Sequence, residues 1–186
     1  MQLRNTARRY GLVAQALHWV IALGFAVQFA LAWYMEGLPA SMFKAEMYNL
    51  HKSIGVTILG LAVIRLGWRL ANPAPTLPNG LPAWERWAAA ASHAGLYLVL
   101  FAQPLSGLVF SLYAQFPTII WGVPLPDPGT MDRVAAGFQA VHGYLSWGIL
   151  ALLALHIGAA LRHHLVLGTD VLRRMVPGMA LREDSG

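Results

Sequence analysis

One apolar stretch near the end of the chain restricts the possible folds more than any other feature. Residues 138–165 read FQAVHGYLSWGILALLALHIGAALRHHL, long and apolar enough to cross a bilayer as a helix. The stretch contains His142 and His156, fourteen residues apart. At about 100° and 1.5 Å per residue, the two imidazoles lie on one helix face, about 21 Å apart along the axis. This helix can present one imidazole near each membrane surface, although a single intramembrane histidine can also serve only as an interhelical hydrogen-bonding group.

The composition indicates an integral membrane protein. Of 186 residues, 57% are hydrophobic and 11% are charged, about half the charged share of a soluble domain. Cysteine is absent, which excludes disulfides, thiolate zinc sites, iron–sulfur clusters and covalent c-type haem. Histidine is therefore the strongest metal ligand available. The arginines lie beside apolar segments, so they indicate membrane topology and contacts with membrane lipid or anionic cofactor groups, and not nucleic-acid binding.

Four apolar segments predict an all-α integral membrane four-helix bundle, with a single domain over residues 1–186. Helix breakers and charges place the spans at about 10–34, 47–70, 86–113 and 138–165. The first span follows a basic start that resembles a signal peptide, but its long apolar run contains His18, so a retained span is the better interpretation. The connection over residues 114–137 has an apolar run too short to cross, so we expect it to cover the interface.

The distribution of cations predicts the orientation of the chain. Ten arginines fall on the side of the two termini, and three cations fall on the other side. The ten are Arg4, Arg8, Arg9, Arg65, Arg69, Arg86, Arg162, Arg173, Arg174 and Arg182, and the three are Lys44, Lys52 and Arg133. Because cytoplasmic segments carry excess Lys and Arg, both termini are predicted to be cytoplasmic, with an even number of spans.

Depth along the predicted spans pairs four of the histidines. His18 and His156 each lie about eight residues, or roughly 12 Å, from the cytoplasmic end of a span, so they are level. His51 and His142 lie at the outer start of their spans and form a second level. Two neutral imidazoles can fill both axial positions of a haem iron, which leaves none for oxygen and favours electron transfer. A structural zinc would need four ligands at one point, whereas each level offers two or three.

Other polar residues have more than one interpretation. His93 shares the inner level, so it is either an alternative inner ligand or part of a propionate, quinone or polar-network site. Four cations near the two levels can pair with haem propionates, although snorkelling to lipid phosphate explains them nearly as well. These cations are Arg65, Arg69, Arg162 and Lys52. A quinone at the inner level needs hydrogen-bond donors, and the candidates are His93, Arg69, Arg162 and His163.

Segments of all four spans together resemble the bacterial cytochrome b561 family of small four-helix dihaem membrane cytochromes. The segments are QALHW, HKSIG with IRLGWRL, SHAGLYLVLFAQPLSGL, and VHGYLSWGILALLALHIGAALRHHL. This resemblance covers nearly the whole chain and implies two b-type haems with His18, His51, His142 and His156 as axial ligands, in agreement with the depth argument. It also implies a multi-pass protein of the bacterial inner membrane that exchanges electrons with ubiquinone or another quinone. Superoxide oxidation coupled to quinone reduction is an activity assigned within the bacterial branch.

Three functions are compatible with the sequence. The first is an oxidoreductase that passes electrons through two haems between one membrane face and quinone, with superoxide as a candidate donor. The second is a cytochrome b subunit that relays electrons for a separate dehydrogenase or hydrogenase, although the short loops leave little surface for such a redox partner protein. The third is a histidine-lined transporter or metal-binding protein, which predicts no haem absorbance.

Overall fold

The computed structural model describes residues 2–76 and 80–182. This part of the chain is mostly helical, as predicted, and its long helices are α1 (Leu12–Glu36), α2 (Met42–Ala71), α3 (Ala83–Tyr113) and α4 (Asp132–Leu161). A π-helical turn, Arg162–Val166, follows α4. The connection between α3 and α4 contains two short antiparallel strands, β1 (Ile119–Ile120) and β2 (Val123–Pro124), which the sequence did not predict.

All four helices are long and apolar enough to cross a membrane. Helix α3 begins slightly before its predicted span, at Ala83 and not Arg86, and two helices begin well before theirs: α2 at Met42 and not Met47, and α4 at Asp132 and not Phe138. Their first turns contain charged residues, so a search for apolar runs misses them. Each nevertheless has a helix-start signal. Ser41 Oγ accepts the backbone N–H of Lys44 (3.2 Å) as an N-cap, and Asp132 places a carboxylate at the positive end of the α4 dipole.

Large apolar side chains are exposed along the helices. On α3, Trp87 is 76% exposed and Leu98 is 70% exposed, and on α4 Tyr144 and Trp147 are 79% and 73% exposed. Large contiguous apolar surface is rare on soluble monomers because contact with water is unfavourable, whereas lipid solvates it well. The helices therefore have the surface of a multi-pass membrane protein.

The chain divides into two compact units, each with parts of all four helices. The first unit comprises Met1–Trp19, Ile64–Tyr97 and Ile149–Gly186, and the second comprises Val20–Val63 and Leu98–Gly148. The ten arginines predicted on the side of the termini all belong to the first unit, and the other three cations all belong to the second. The cations assigned to each predicted membrane side therefore all lie in one unit. The orientation of the termini stays a prediction.

Hydrogen bonds from side chains to backbone carbonyls hold the segments of the first unit together. The Asn5 amide donates to the carbonyl of Asn72 at the end of α2 (3.1 Å), and the Gln15 amide donates to the carbonyl of Arg174 (3.0 Å). Gln15 is buried although it lies in an apolar span. The N-terminal segment is therefore bound both to the end of α2 and to the segment that follows α4.

In the second unit the hairpin is anchored on α2. Trp121 and Gly122 form its turn with φ angles of 49° and 82°, and a positive φ is unfavourable for tryptophan. Two hydroxyls of α2 hold Trp121 in place: Ser53 Oγ accepts its backbone N–H (2.8 Å), and Thr57 Oγ1 accepts its indole N–H (3.0 Å). The connection is thus attached to α2 next to His51, by contacts that no apolar pattern predicts.

Candidate functional site

Three imidazoles lie close together in the first unit. His18 on α1 and His156 on α4 have ring centroids 6.2 Å apart, at an interplanar angle of 59°. His93 on α3 also contacts His156, with centroids 5.6 Å apart and an angle of 63°. The structure thus brings together the three histidines that the sequence places at the inner level. His156 contacts both of the other rings, so it is close enough to pair with either of them.

A guanidinium group approaches the His18 ring from α2. Arg65 Nη2 lies 3.3 Å from His18 Nδ1, and Arg65 Nη1 donates to the carbonyl of Ala14 (3.3 Å). Arginine can only donate, so His18 Nδ1 accepts and the ring proton lies on Nε2. Metal binding through Nε2 needs the opposite tautomer. An Nε2 bond to a metal would therefore require Arg65 to release His18.

Two imidazoles meet in the second unit. His51 on α2 and His142 on α4 have ring centroids 6.3 Å apart, at an interplanar angle of 81°. Both side chains are partly buried. The structure thus also brings together the two histidines that the sequence places at the outer level.

Polar side chains within the apolar helices contact this outer pair. The carbonyl of Gln103 lies 2.9 Å from His142 Nδ1, and Ser106 Oγ lies 3.2 Å from the same nitrogen. On the other side, the Gln28 amide donates to the backbone carbonyl of His51 (2.9 Å). The apolar pattern of the spans does not indicate these contacts of Gln103, Ser106 and Gln28. A glutamine inside a membrane span is costly unless its amide has a hydrogen-bond partner, so its presence alone indicates a polar contact within the bundle.

Arg162 and His163 both face one carboxylate in the first unit. Arg162 Nη1 lies 3.0 Å from Glu85 Oε1, and His163 Nε2 lies 3.5 Å from Glu85 Oε2. The Glu85 side chain is only 9% exposed. Arg162 and His163, both predicted to contact a cofactor or quinone, therefore contact a protein carboxylate that no sequence pattern indicates.

The other predicted propionate partners lie nearer the imidazole pairs. Lys52 follows His51 directly, and its Nζ donates to the carbonyl of Pro117 (3.4 Å). Arg65 contacts His18, as described above. Arg69 lies one turn further along α2, and its side chain is exposed. Each unit therefore has at least one cation close to its imidazole pair.

A cleft in the first unit lies beside these arginines. Its empty volume is about 290 Å³, part of it open to solvent, and nine residues line it. They are Asn5, Tyr10, Ala14, Leu17, Arg65, Trp68, Arg69, Tyr97 and Met175. The indole Nε1 of Trp68 is buried and has no hydrogen-bond partner among the described residues. Of the four residues suggested for quinone binding, only Arg69 is part of this lining.

Comparison with known proteins decides the family. The model of the prokaryotic cytochrome b561 family matches residues 9–178, which include all six of the histidines described above. The chain belongs to this family. Among similar proteins, cytochrome b561 homolog 2 of Escherichia coli (strain K12) is 37% identical over 183 residues, which cover 95% of this chain and 95% of that protein.

Two further relatives of this cytochrome b561 are more distant. Cytochrome b561 homolog 1 of Escherichia coli (strain K12) is 28% identical over 170 residues, covering 87% of this chain and 93% of that protein. A protein of Yersinia pestis named "Probable superoxide oxidase CybB" is 26% identical over 178 residues, covering 91% of this chain and 97% of that protein. Membership of the family implies a b-type haem and electron transfer in a membrane.

The imidazole pairs of this cytochrome b561 fit a haem iron. Two iron–nitrogen bonds of about 2 Å and two ring radii of about 1 Å place the ring centroids about 6 Å apart. The two pairs have centroid separations of 6.2 and 6.3 Å. In each pair the imidazoles come from two different helices, so a flat ring between them can have one on each face. The donor set and the spacing of each pair would therefore suit a haem held between the two imidazoles.

Proposed function

We propose that this cytochrome b561 holds two b-type haems and carries electrons between a donor at one membrane face and quinone. The observation that supports two haems is the presence of two separate imidazole pairs, at centroid separations of 6.2 and 6.3 Å. Helix α4 contributes His156 to one pair and His142 to the other. Each bound haem would supply one-electron exchange between ferrous and ferric iron. Two axial imidazoles leave no position for oxygen to bind, which favours electron transfer.

Within the first unit, we assign His18 and not His93 as the partner of His156. The His18 to His156 separation of 6.2 Å has room for an iron atom and two bonds, whereas the His93 to His156 separation of 5.6 Å is shorter than that arrangement needs. His93 then stands beside the pair as a polar neighbour. Arg65 would leave His18 when Nε2 binds iron and would be free to pair with a propionate carboxylate, as would Arg69. Lys52 has the corresponding role beside His51.

The proposed substrates are superoxide and quinone. The relative in Yersinia pestis is named a probable superoxide oxidase, and this likeness supports the same reaction here. Two superoxide ions would each give up one electron and leave as dioxygen, while quinone would take the two electrons and two protons to become quinol. We place the quinone head group at the cleft beside Arg65 and Arg69, because the guanidinium groups that line it and the buried indole N–H of Trp68, which has no partner among the described residues, can donate to quinone carbonyls.

The proposed location is the bacterial inner membrane, with both termini in the cytoplasm. The ten arginines of the first unit support this orientation, because cytoplasmic segments are rich in such cations. Superoxide would then approach the second unit, where Lys52 and the hairpin lie.

The deciding experiment is haem quantification and turnover on detergent-purified protein expressed with haem supplied. We expect two haems per chain, a b-type spectrum after reduction with dithionite, and quinone reduction that depends on superoxide. Protein without haem would overturn the cytochrome assignment, and a single haem would overturn the dihaem proposal. Intact haems that superoxide does not reduce, together with co-purification of a large redox enzyme, would instead favour an electron-relay subunit.

Trp68→Phe tests the quinone site. The substitution keeps an aromatic ring and removes the buried indole N–H that has no partner among the described residues. If this N–H donates to a quinone carbonyl, its loss costs about 1 kcal/mol, and KM for quinone should rise about fivefold. Haem content should stay at two. The matched control is Trp87→Phe, because Trp87 is 76% exposed and should leave KM unchanged. An unchanged KM with an altered haem potential would show that the N–H serves a propionate instead.

A further inference from the structure

The contacts around His142 differ from those of the other paired imidazoles. His142 Nδ1 lies 2.9 Å from the carbonyl oxygen of Gln103 and 3.2 Å from Ser106 Oγ. Ser106 Oγ also lies 2.8 Å from the Gln103 carbonyl oxygen. The Gln103 carbonyl, the Ser106 hydroxyl and His142 Nδ1 thus each lie within hydrogen-bonding distance of the other two. Ser106 is only 3% exposed, so water does not compete for these contacts.

The chemistry of the three groups fixes the direction of each hydrogen bond. A backbone carbonyl can only accept, so the Ser106 hydroxyl and His142 Nδ1 both donate to Gln103. Because the Ser106 proton points to the carbonyl, the hydroxyl oxygen offers a lone pair to the Nδ1–H of His142. The proton of the neutral imidazole is therefore on Nδ1, and Nε2 keeps the lone pair that a metal requires.

Two residues of α3, Ser106 and Gly107, allow the Gln103 carbonyl and the Ser106 hydroxyl to lie close to the His142 ring. Ser106 bonds to the carbonyl three residues earlier, a common way for serine to satisfy its hydroxyl inside a helix. Gly107 lets the backbone of α3 approach the ring, because a Cβ there would lie 2.8 Å from His142 Cε1. The Gln103 amide donates to His142 Nε2 (3.2 Å) and to Ser146 Oγ (3.0 Å), so an Nε2 bond to a metal would require this amide to release Nε2.

Two of the other paired histidines, His51 and His18, do not show this arrangement in the described part of the chain. His51 Nδ1 is buried and has no hydrogen-bond partner among the described residues. His18 Nδ1 accepts from Arg65, which selects the tautomer with the proton on Nε2. Among these three rings, only His142 has its proton held on Nδ1 by acceptors.

We propose that the Gln103 carbonyl and the Ser106 hydroxyl are positioning groups that fix the tautomer of His142 and lower the reduction potential of the haem it binds. Hydrogen bonds accepted from Nδ1–H make Nε2 a stronger electron donor, which stabilises ferric over ferrous iron. This inference rests on the proposed ligation of haem by His142. It assigns to Ser106 an electronic role in addition to its place in the packing of α3.

The test is a redox titration of Ser106→Ala, monitored by haem absorbance. The substitution removes one of two acceptors of the Nδ1 proton, so the potential of the His51–His142 haem should rise. We expect about a tenfold change in its reduction equilibrium, which equals about 59 mV for one electron. The potential of the other haem should not change. Repeating the titration in a His156→Ala background, with a single haem left, assigns the shift to the outer site.

Two further variants distinguish an effect on the haem reduction potential from an effect on the packing of α3. Ser111→Ala is the matched control, because Ser111 lies on the same helix, is 4% exposed, and bonds to Thr118 and not to a histidine; it should shift neither potential. Ser106→Cys keeps a weak acceptor and should give a smaller rise than Ser106→Ala. Unchanged or lowered potentials in both Ser106 variants would overturn the proposal, as would loss of the outer haem from both. A wild-type protein without an outer haem would instead refute the proposed function.

Discussion

Replacing His156 with alanine should lower the haem content of the purified protein from two per chain to about one. His156 contacts both His18 and His93, so its loss removes both of the imidazole contacts described in the first unit. A haem with one axial imidazole left would be held far more weakly, because an axial ligand supplies a large part of the binding energy. The His51–His142 pair lies in the second unit and should keep its haem. Haem extraction and absorbance per chain measure the result.

Three more alanine variants test which histidines hold the inner haem together with His156. His18→Ala should also remove the inner haem, whereas His93→Ala should keep it, because the 6.2 Å separation suits iron and the 5.6 Å separation does not. His164→Ala, in the π-helical turn that follows α4, is the control and should retain two haems. Two haems in His156→Ala would contradict the ligand assignment. Loss of haem from His93→Ala with retention in His18→Ala would exchange the roles of these two residues.

The pairing of the histidines could be predicted because helix geometry converts residue number into depth. The rise per residue is nearly constant, so counting from the span ends places His18 level with His156 and His51 level with His142. In the structure both pairs have ring centroids slightly more than 6 Å apart. The same counting could not separate His18 from His93, because depth gives no information on the direction in which a side chain points around the helix.

Contacts between distant segments could not be predicted in the same way. Glu85 and Arg162 lie 77 residues apart, and nothing in the period of either helix indicates that they meet. The hairpin between α3 and α4 is held by Ser53 and Thr57, whose hydroxyls look like ordinary polar residues of an apolar helix. Side chains that satisfy single backbone groups follow no repeating pattern. Their partners become visible only when the packing of the helices is known.

Gly107 is a position where a single methyl group should remove one haem. A Cβ at this residue would lie 2.8 Å from Cε1 and 3.0 Å from Nδ1 of His142, which is closer than carbon atoms pack without repulsion. The ring has little freedom to retreat, because its Nδ1 is bonded to the Gln103 carbonyl at 2.9 Å. Overpacking at a rigid contact costs about 1–3 kcal/mol and displaces the groups involved.

Gly107→Ala should therefore lower the haem content from two per chain to about one, with the inner haem retained and the Tm reduced. The matched control is Gly95→Ala on the same helix, where the new Cβ would lie 3.4 Å from the flexible Leu152 side chain. That variant should keep both haems, and the better helix propensity of alanine, worth up to about 1 kcal/mol, should maintain or raise its Tm. Haem content and thermal unfolding are measured on both variants. Two haems with an unchanged spectrum in Gly107→Ala would mean that His142 can move away from α3 without losing iron, so the close backbone approach would have no role in holding the outer haem.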